Sequence, residues 1–434
     1  MSPATTPGRW RLALLLAILF AVQGSFWSLL AVHLADLGIS GRGRGWIFST
    51  LAIGSAAVPL LIGQVVDRIM AADRMLVIMY ALGSLLLLIA ATGAVASTMA
   101  LFLVFLGVWA LMGPGYSISS ALVMRNLANP LAEYGRVRLW GTAGWMVSGW
   151  VVSAVMAATG GARSGMGAYP ALGIATACAA ATSIYCMTLP RTPPLAVGAK
   201  RARALAESLG LLREKDVRTF LIASFGVYLT VPVMFQSIPG FLEAKGLPRY
   251  WTSSVMTIGQ AGEIAALMAL PFMVRRFGIK ATMVLGIGCW FVRFLGLALD
   301  PPLWAAVAGT FLHGPGIAWF TVGGQLFIDG RCSSHLRASA QALLLVCTSG
   351  LGAFLGNLGA GELANHTAPD DVLVFLIPCV IDGALLVYFL RGFRAPVSSR
   401  NWAGAPAVDH APSQESTRGA PARGGRLVAE SADG

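Results

Sequence analysis

Apolar stretches of about 20 residues recur from Arg11 to Leu390, and each is long enough to cross ~30 Å of hydrocarbon at 1.5 Å per residue. Lipid offers no hydrogen bonds to a backbone, so runs of this length must close their own as helices. The expected spans are 11–34, 45–66, 75–95, 99–121, 138–160 and 168–190, then 217–240, 251–274, 280–299, 302–325, 337–361 and 372–391. Gly113-Pro114 and Gly314-Pro315 are expected to interrupt helices 4 and 10. Only 12% of the 434 residues are charged, so most of the chain cannot face water.

Charge placement sets the orientation. Of the 31 Lys and Arg, 25 fall at the termini and in the loops on their side; five (Arg42, Arg44, Arg163, Lys245 and Arg249) fall on the other, and Arg293 lies within a helix. The positive-inside rule then puts both termini in the cytoplasm, with the chain in a bacterial inner membrane. The net charge of +12 is mostly this bias, and no nucleic-acid partner is needed to explain it. The first helix is longer than a signal-peptide core and is expected to remain as an anchor. The six cysteines are scattered, without metal-like spacing, so no metal or cofactor is expected.

A polar segment, 191–216, divides six helices (1–190) from six (217–391), and the tail 392–434 has the composition of a disordered segment. The halves resemble one another. Ala52-Ile53-Gly54 opens helix 2 as Thr257-Ile258-Gly259 opens helix 8, and Arg138 with Thr142 parallels Arg337 with Gln341, at a common offset of about 200 residues. Repeated halves of this kind build many secondary transporters, with the site near the midplane between them.

Few residues carry chemistry. Glu263 lies within helix 8, with Gln260 one turn earlier on the same face. A carboxylate in hydrocarbon costs at least ~2.5–3.5 kcal/mol, so it should face a polar cavity, where it can exchange a proton. The alternative is a structural carboxylate paired with Arg293 or Arg138. Asp382, in helix 12, is a second candidate for proton coupling, with Arg293 as its expected structural counterpart. Arg138, Thr142 and Trp145 share one face of helix 5 and can clamp a planar polar solute by stacking and hydrogen bonds. An Arg snorkelling to the inner surface beside an anchoring Trp is the competing reading. Gln236, His313 and Trp319 are further candidates for solute contact, although His313 beside Gly314-Pro315 also suits helix packing.

Gly63-Gln-Val-Val-Asp67-Arg68 resembles the loop 2–3 signature of the major facilitator superfamily, which implies a gating role for Gly63, Asp67 and Arg68. Tyr134-Gly-Arg-Val-Arg-Leu-Trp-Gly-Thr-Ala-Gly-Trp145 resembles the helix 5 signature of the nucleoside:proton symporter family within it. Gln23-Gly-Ser-Phe-Trp27, Gln260-x-x-Glu263, Trp290-x-x-Arg293-Phe294 and Leu336-Arg-Ala-Ser-Ala-Gln341 are similar to further segments of that family. The resemblance implies an all-α membrane protein of twelve transmembrane helices in two six-helix bundles, working as a monomer. It implies nucleoside contact for Arg138, Thr142, Trp145 and Gln260, and nucleoside contact or proton coupling for Glu263. Helices 7 and 10 depart from the pattern: only Gln236 supplies an amide in helix 7, and Ala318-Trp319-Phe320 lacks the family's Asp. The function expected is proton-coupled uptake of nucleosides by alternating access. The alternatives are the same fold carrying an aromatic acid or sugar, possibly outward, and, remotely, an integral-membrane enzyme, for which no nucleophile or metal cluster is evident.

Overall fold

The computed structural model describes residues 8–57, 70–160, 169–193, 209–332 and 336–394. Among them lie twelve helical segments: α1 (Arg9–Asp36), α2 (41–57), α3 (Ala72–Ala91), α4 (Thr98–Asn126), α5 (Pro130–Ala158), α6 (Tyr169–Cys186), α7 (215–244), α8 (249–277), α9 (279–298), α10 (303–331), α11 (337–366) and α12 (Leu373–Gly392). By length and composition, eight stretches among the described residues are apolar enough to cross a bilayer. One of them, Arg249–Ala298, is α8 and α9 joined at a kink at Gly278, whose φ of 81° and ψ of 164° suit glycine. The chain is a multi-pass membrane protein. Large apolar side chains stay exposed on its outer helices, as at Leu85 on α3 and Val380 on α12.

The two expected interruptions come out differently. α4 runs unbroken through Pro114. α10 is broken, by a 3₁₀ turn at Thr310–Leu312 and a π-helical stretch at Gly316–Val322. Further π-helical stretches lie in α2 at Ile53–Ala57 and in α11 at Val346–Gly352, and these two touch each other. Helix 5 begins at Pro130 rather than 138, which puts Arg138 about 12 Å along the helix.

Each half builds its own core. One buried cluster draws on α1–α6, from Leu12 to Leu189. α7–α12 hold two, one from Val217 to Phe393 and one from Val233 to Cys379.

Small residues let the helices within each half touch backbone to backbone, as membrane helices require in the absence of a hydrophobic drive between them. On α1 and α5, a Cβ at Gly24 would meet the Trp145 backbone at 2.7 Å, and one at Gly144 would collide with the carbonyl of Ala17. On α7 and α11, a Cβ at Gly356 would meet the carbonyls of Tyr228 and Leu229 at 2.7 Å. Gly113 packs on Gly54 between α4 and α2, and Gly314 packs on Gly259 and Gly262 between α10 and α8. The second half thus repeats the first: α1/α5 corresponds to α7/α11, and α2/α4 to α8/α10.

Overpacking a tight contact of this kind costs about 1–3 kcal/mol. Gly144→Val is therefore expected to lower the midpoint of thermal unfolding of the detergent-purified protein by several degrees. Gly173→Ala, where a Cβ meets nothing within 4 Å, should leave it unchanged or raise it slightly. Equal midpoints for Gly144→Val and the parent chain would contradict the packing.

Candidate functional site

Arg138 projects from α5 onto the ring of Phe20 on α1, 4.1 Å from its centroid. The ring's negative face holds the guanidinium without neutralising it. Phe20 in turn meets Tyr116 of α4 edge-on at 4.8 Å, and the Tyr116 hydroxyl donates to Gln23 Oε1 at 2.9 Å. Thr142 and Trp145 follow Arg138 on the same face, both half-buried. Gly141 faces Phe20 and Gly144 faces Ala17, so glycines bring this face of α5 against α1.

From the other half, α8 presents Gln260, 8% exposed, and half-buried Glu263. A Cβ at Gly314 of α10 would collide with the backbone of Gly262 and Glu263, so contact with α10 fixes this turn of α8. Among the described residues Glu263 makes no hydrogen bond or ion pair, and Arg138 is the charge that acts on it. Arg138 and Glu263 thus stand on opposite halves of the molecule, with no hydrogen bond or ion pair between them among the described residues. Tyr228 of α7 stands near Thr321 of α10 and Ser349 of α11, which adds hydroxyls on the second half.

Other expected site residues lie elsewhere. Gln236 follows the break in α7 at Pro232, and its Nε2 donates to Oδ1 (2.9 Å) and the carbonyl (3.1 Å) of Asn357 on α11. His313, 6% exposed, accepts from Trp290 Nε1 at 3.4 Å and stands beside Phe235 and Arg293; it packs between α8 and α9. Trp319 donates from Nε1 to the carbonyl of Ala266 at 3.1 Å, which ties α10 to α8. Asp382 is fully buried, and its partner is the Thr230 hydroxyl at 3.0 Å. The expected pairing of Asp382 with Arg293 is not present: buried Arg293 has Nε and one terminal nitrogen without a partner among the described residues. Gly63, Asp67 and Arg68 lie outside the described residues.

Phe20, Tyr116 and Tyr228 were missed by sequence reasoning. An aromatic in an apolar run looks alike whether it meets lipid or a cavity, and only Gln23 stood in a recognisable segment.

A second set of polar groups joins the halves at the end away from the termini. Arg42 of α2 donates two bonds to Glu362 of α11, both 2.8 Å, and His366 lies 2.9 Å from the same carboxylate. Arg249 of α8 bonds Asp36 of α1 at 2.5 Å and Glu243 of α7 at 3.0 Å. The Trp150 indole donates to the Thr257 hydroxyl at 3.0 Å, and the Ser254 amide donates to the Ser153 hydroxyl at 3.1 Å. At the end that carries the termini, no hydrogen bond or ion pair among the described residues joins α1–α6 to α7–α12. The chain after α6 stays on the first half there, through Arg125 to the Pro193 carbonyl (2.7 Å) and the Thr192 amide to Asp73 (2.8 Å). Among the described residues, the polar bonds that join the halves thus lie at the end away from the termini.

The chain is 28% identical over 385 residues to the nucleoside permease NupG of Escherichia coli (strain K12), covering 83% of this chain and 89% of that protein. It is 24% identical over 411 residues to the xanthosine permease of the same organism, covering 88% and 95%. A crystal structure of the nucleoside transporter NupG superposes with a TM-score of 0.77 at 26% identity, covering 89% of this chain and 99% of that one. A D-xylose-proton symporter shares the fold, with a TM-score of 0.71 at 14% identity and 90% and 98% coverage. A model of the nucleoside H+ symporter family matches residues 8–398, and the chain belongs to that family.

Proposed function

We propose that this chain imports nucleosides together with protons by alternating access, with Arg138 and Glu263 as the pair that links the two cargoes. The observation that supports the assignment of residues is the placement of Glu263 on α8, without a hydrogen bond or ion pair among the described residues, and of the Arg138 guanidinium on α5, held by an aromatic ring rather than by a carboxylate. A protonated carboxyl can donate a hydrogen bond to a hydroxyl or base carbonyl, and it frees Arg138 to act as a donor. A deprotonated one attracts Arg138 instead and competes with the solute for it. Proton and nucleoside then favour each other's binding, which a symporter requires. Thr142, Trp145, Gln260 and the Tyr116–Gln23 pair supply stacking and polar contacts around the solute. Asp382 and His313 serve packing inside the second half.

The protein works as a monomer in a bacterial inner membrane, with both termini cytoplasmic. On that orientation the latched end faces outward, which suits an inward-open state. Residues 1–190 rock against 217–391, with 191–216 as the linker and 392–434 as a cytoplasmic tail.

In proteoliposomes with an imposed proton gradient, uridine should accumulate, and collapsing the gradient should abolish accumulation. Glu263→Gln should reduce the inside-to-outside ratio to one while preserving counterflow exchange. Accumulation that survives gradient collapse, or a variant that still concentrates uridine, would contradict the reading.

The outer latches make a second expectation. Exposed ion pairs contribute about 0.2–1 kcal/mol each, so losing two shifts the outward-open population a few-fold. A cysteine at buried Ser253, with the six native cysteines replaced, should be labelled a few-fold faster by an impermeant maleimide in the Asp36→Asn/Glu362→Gln background. Unchanged labelling would show that the ion pairs do not hold that end closed.

A further inference from the structure

We infer that the closed outer end holds a second solute site, distinct from the Arg138–Glu263 site and specific for a neutral polar molecule of sugar, base or nucleoside size. This inference rests on the nucleoside reading above. A cavity of about 220 Å³ lies there, between the ends of α1, α2, α7, α8 and α11. It has the volume of about seven water molecules at ~30 Å³ each. Its rim at Ala368 and Pro369 is exposed, so it communicates with the surface at that end.

Its polar lining is unsatisfied. Gln236 is 5% exposed, and because its amide nitrogen is engaged by Asn357, its Oε1 is fixed as an acceptor with no partner among the described residues. Ser237, 6% exposed, has a hydroxyl in the same condition. A buried polar group left unmet gives up its bonds to water without replacement, so a solute that meets it is favoured. Arg44 lines the cavity from the first half, half-buried, and makes no hydrogen bond or ion pair among the described residues. Arg249 holds both Asp36 and Glu243, and the one negative charge left over is offset by Arg44 across the cavity. Two acids and two arginines leave the lining formally neutral, which selects an uncharged solute over an anion. Such a solute donates a hydroxyl or amide hydrogen to Gln236 Oε1 and accepts from Arg44.

The placement has a functional consequence. Arg44 belongs to the first half, and Gln236 and Ser237 to the second, so a solute held by all three bridges the halves and exists only while that end is closed. A ligand that binds one state alone shifts the population toward it. Outside solute at high concentration therefore slows uptake by holding the transporter inward-open.

The test is calorimetric titration of the full chain in nanodiscs with uridine, ribose and uracil, alongside uptake measured over a wide range of external uridine. Two variants probe the cavity. Arg44→Met removes its free donor. Gly240→Leu fills it, at a position where a Cβ meets only Pro369, at 3.4 Å. The parent chain should bind two uridines and show uptake that falls at high uridine. Either variant should bind one, and its uptake should reach a plateau without falling. Ribose or uracil competing at the weaker site identifies which part of the nucleoside it holds. One uridine per chain in all three proteins, with uptake that never falls, means the cavity holds only water and overturns the second site while leaving the transport reading intact. A parent chain that binds no uridine overturns both.

Discussion

Glu263 and Arg138 stand on opposite halves of the molecule, and neither is paired off by a neighbour of opposite charge among the described residues. In a medium that penalises charge, that arrangement persists only if the space between the halves is polar and if the backbones on both sides are fixed. Glycine contacts supply the second condition. Gly314 and Gly262 press α10 and α8 together directly behind Glu263, and Gly24 and Gly144 do the same for α1 and α5 beside Arg138. The two charges thus ride on rigid bundles, and a change in protonation at one is felt across the interface between them.

The same pairs explain which matches between halves were readable. Ala52-Ile53-Gly54 and Thr257-Ile258-Gly259 mark α2 and α8, where Gly54 packs on α4 and Gly259 on α10. Arg138, two turns into α5, and Arg337, at the start of α11, mark the other pair. These four helices form the seam, α2 against α11 and α5 against α8. Its geometry constrains residue size at a few positions, and those positions leave a trace in the sequence. Helix number and membrane class were legible because a bilayer imposes a length and an apolarity on every span.

Side-chain partnerships across the fold were not legible. Gln236 reads as part of the solute-facing surface of helix 7, yet the break at Pro232 turns it to Asn357. Asp382 and Arg293 look like natural counter-ions among the intramembrane charges, but Asp382 meets Thr230. The latches Arg42–Glu362 and Arg249–Asp36 join positions more than 200 residues apart, and charges at helix ends carry no mark of their partners. Tyr116 and Tyr228 sit in apolar runs where a ring reveals nothing of what it faces.

The latched outer end fits one state of a rocking pair, and coupling requires that a proton accompany the nucleoside through Glu263. Calorimetric titration of uridine in buffers of different ionisation enthalpy measures that directly, because the slope of observed heat against buffer enthalpy counts the protons taken up on binding. The parent chain should take up a measurable fraction of a proton per uridine, and Glu263→Gln should take up none while still binding uridine. A slope of zero in the parent chain, or the same slope in both proteins, would contradict the coupling assigned to this pair.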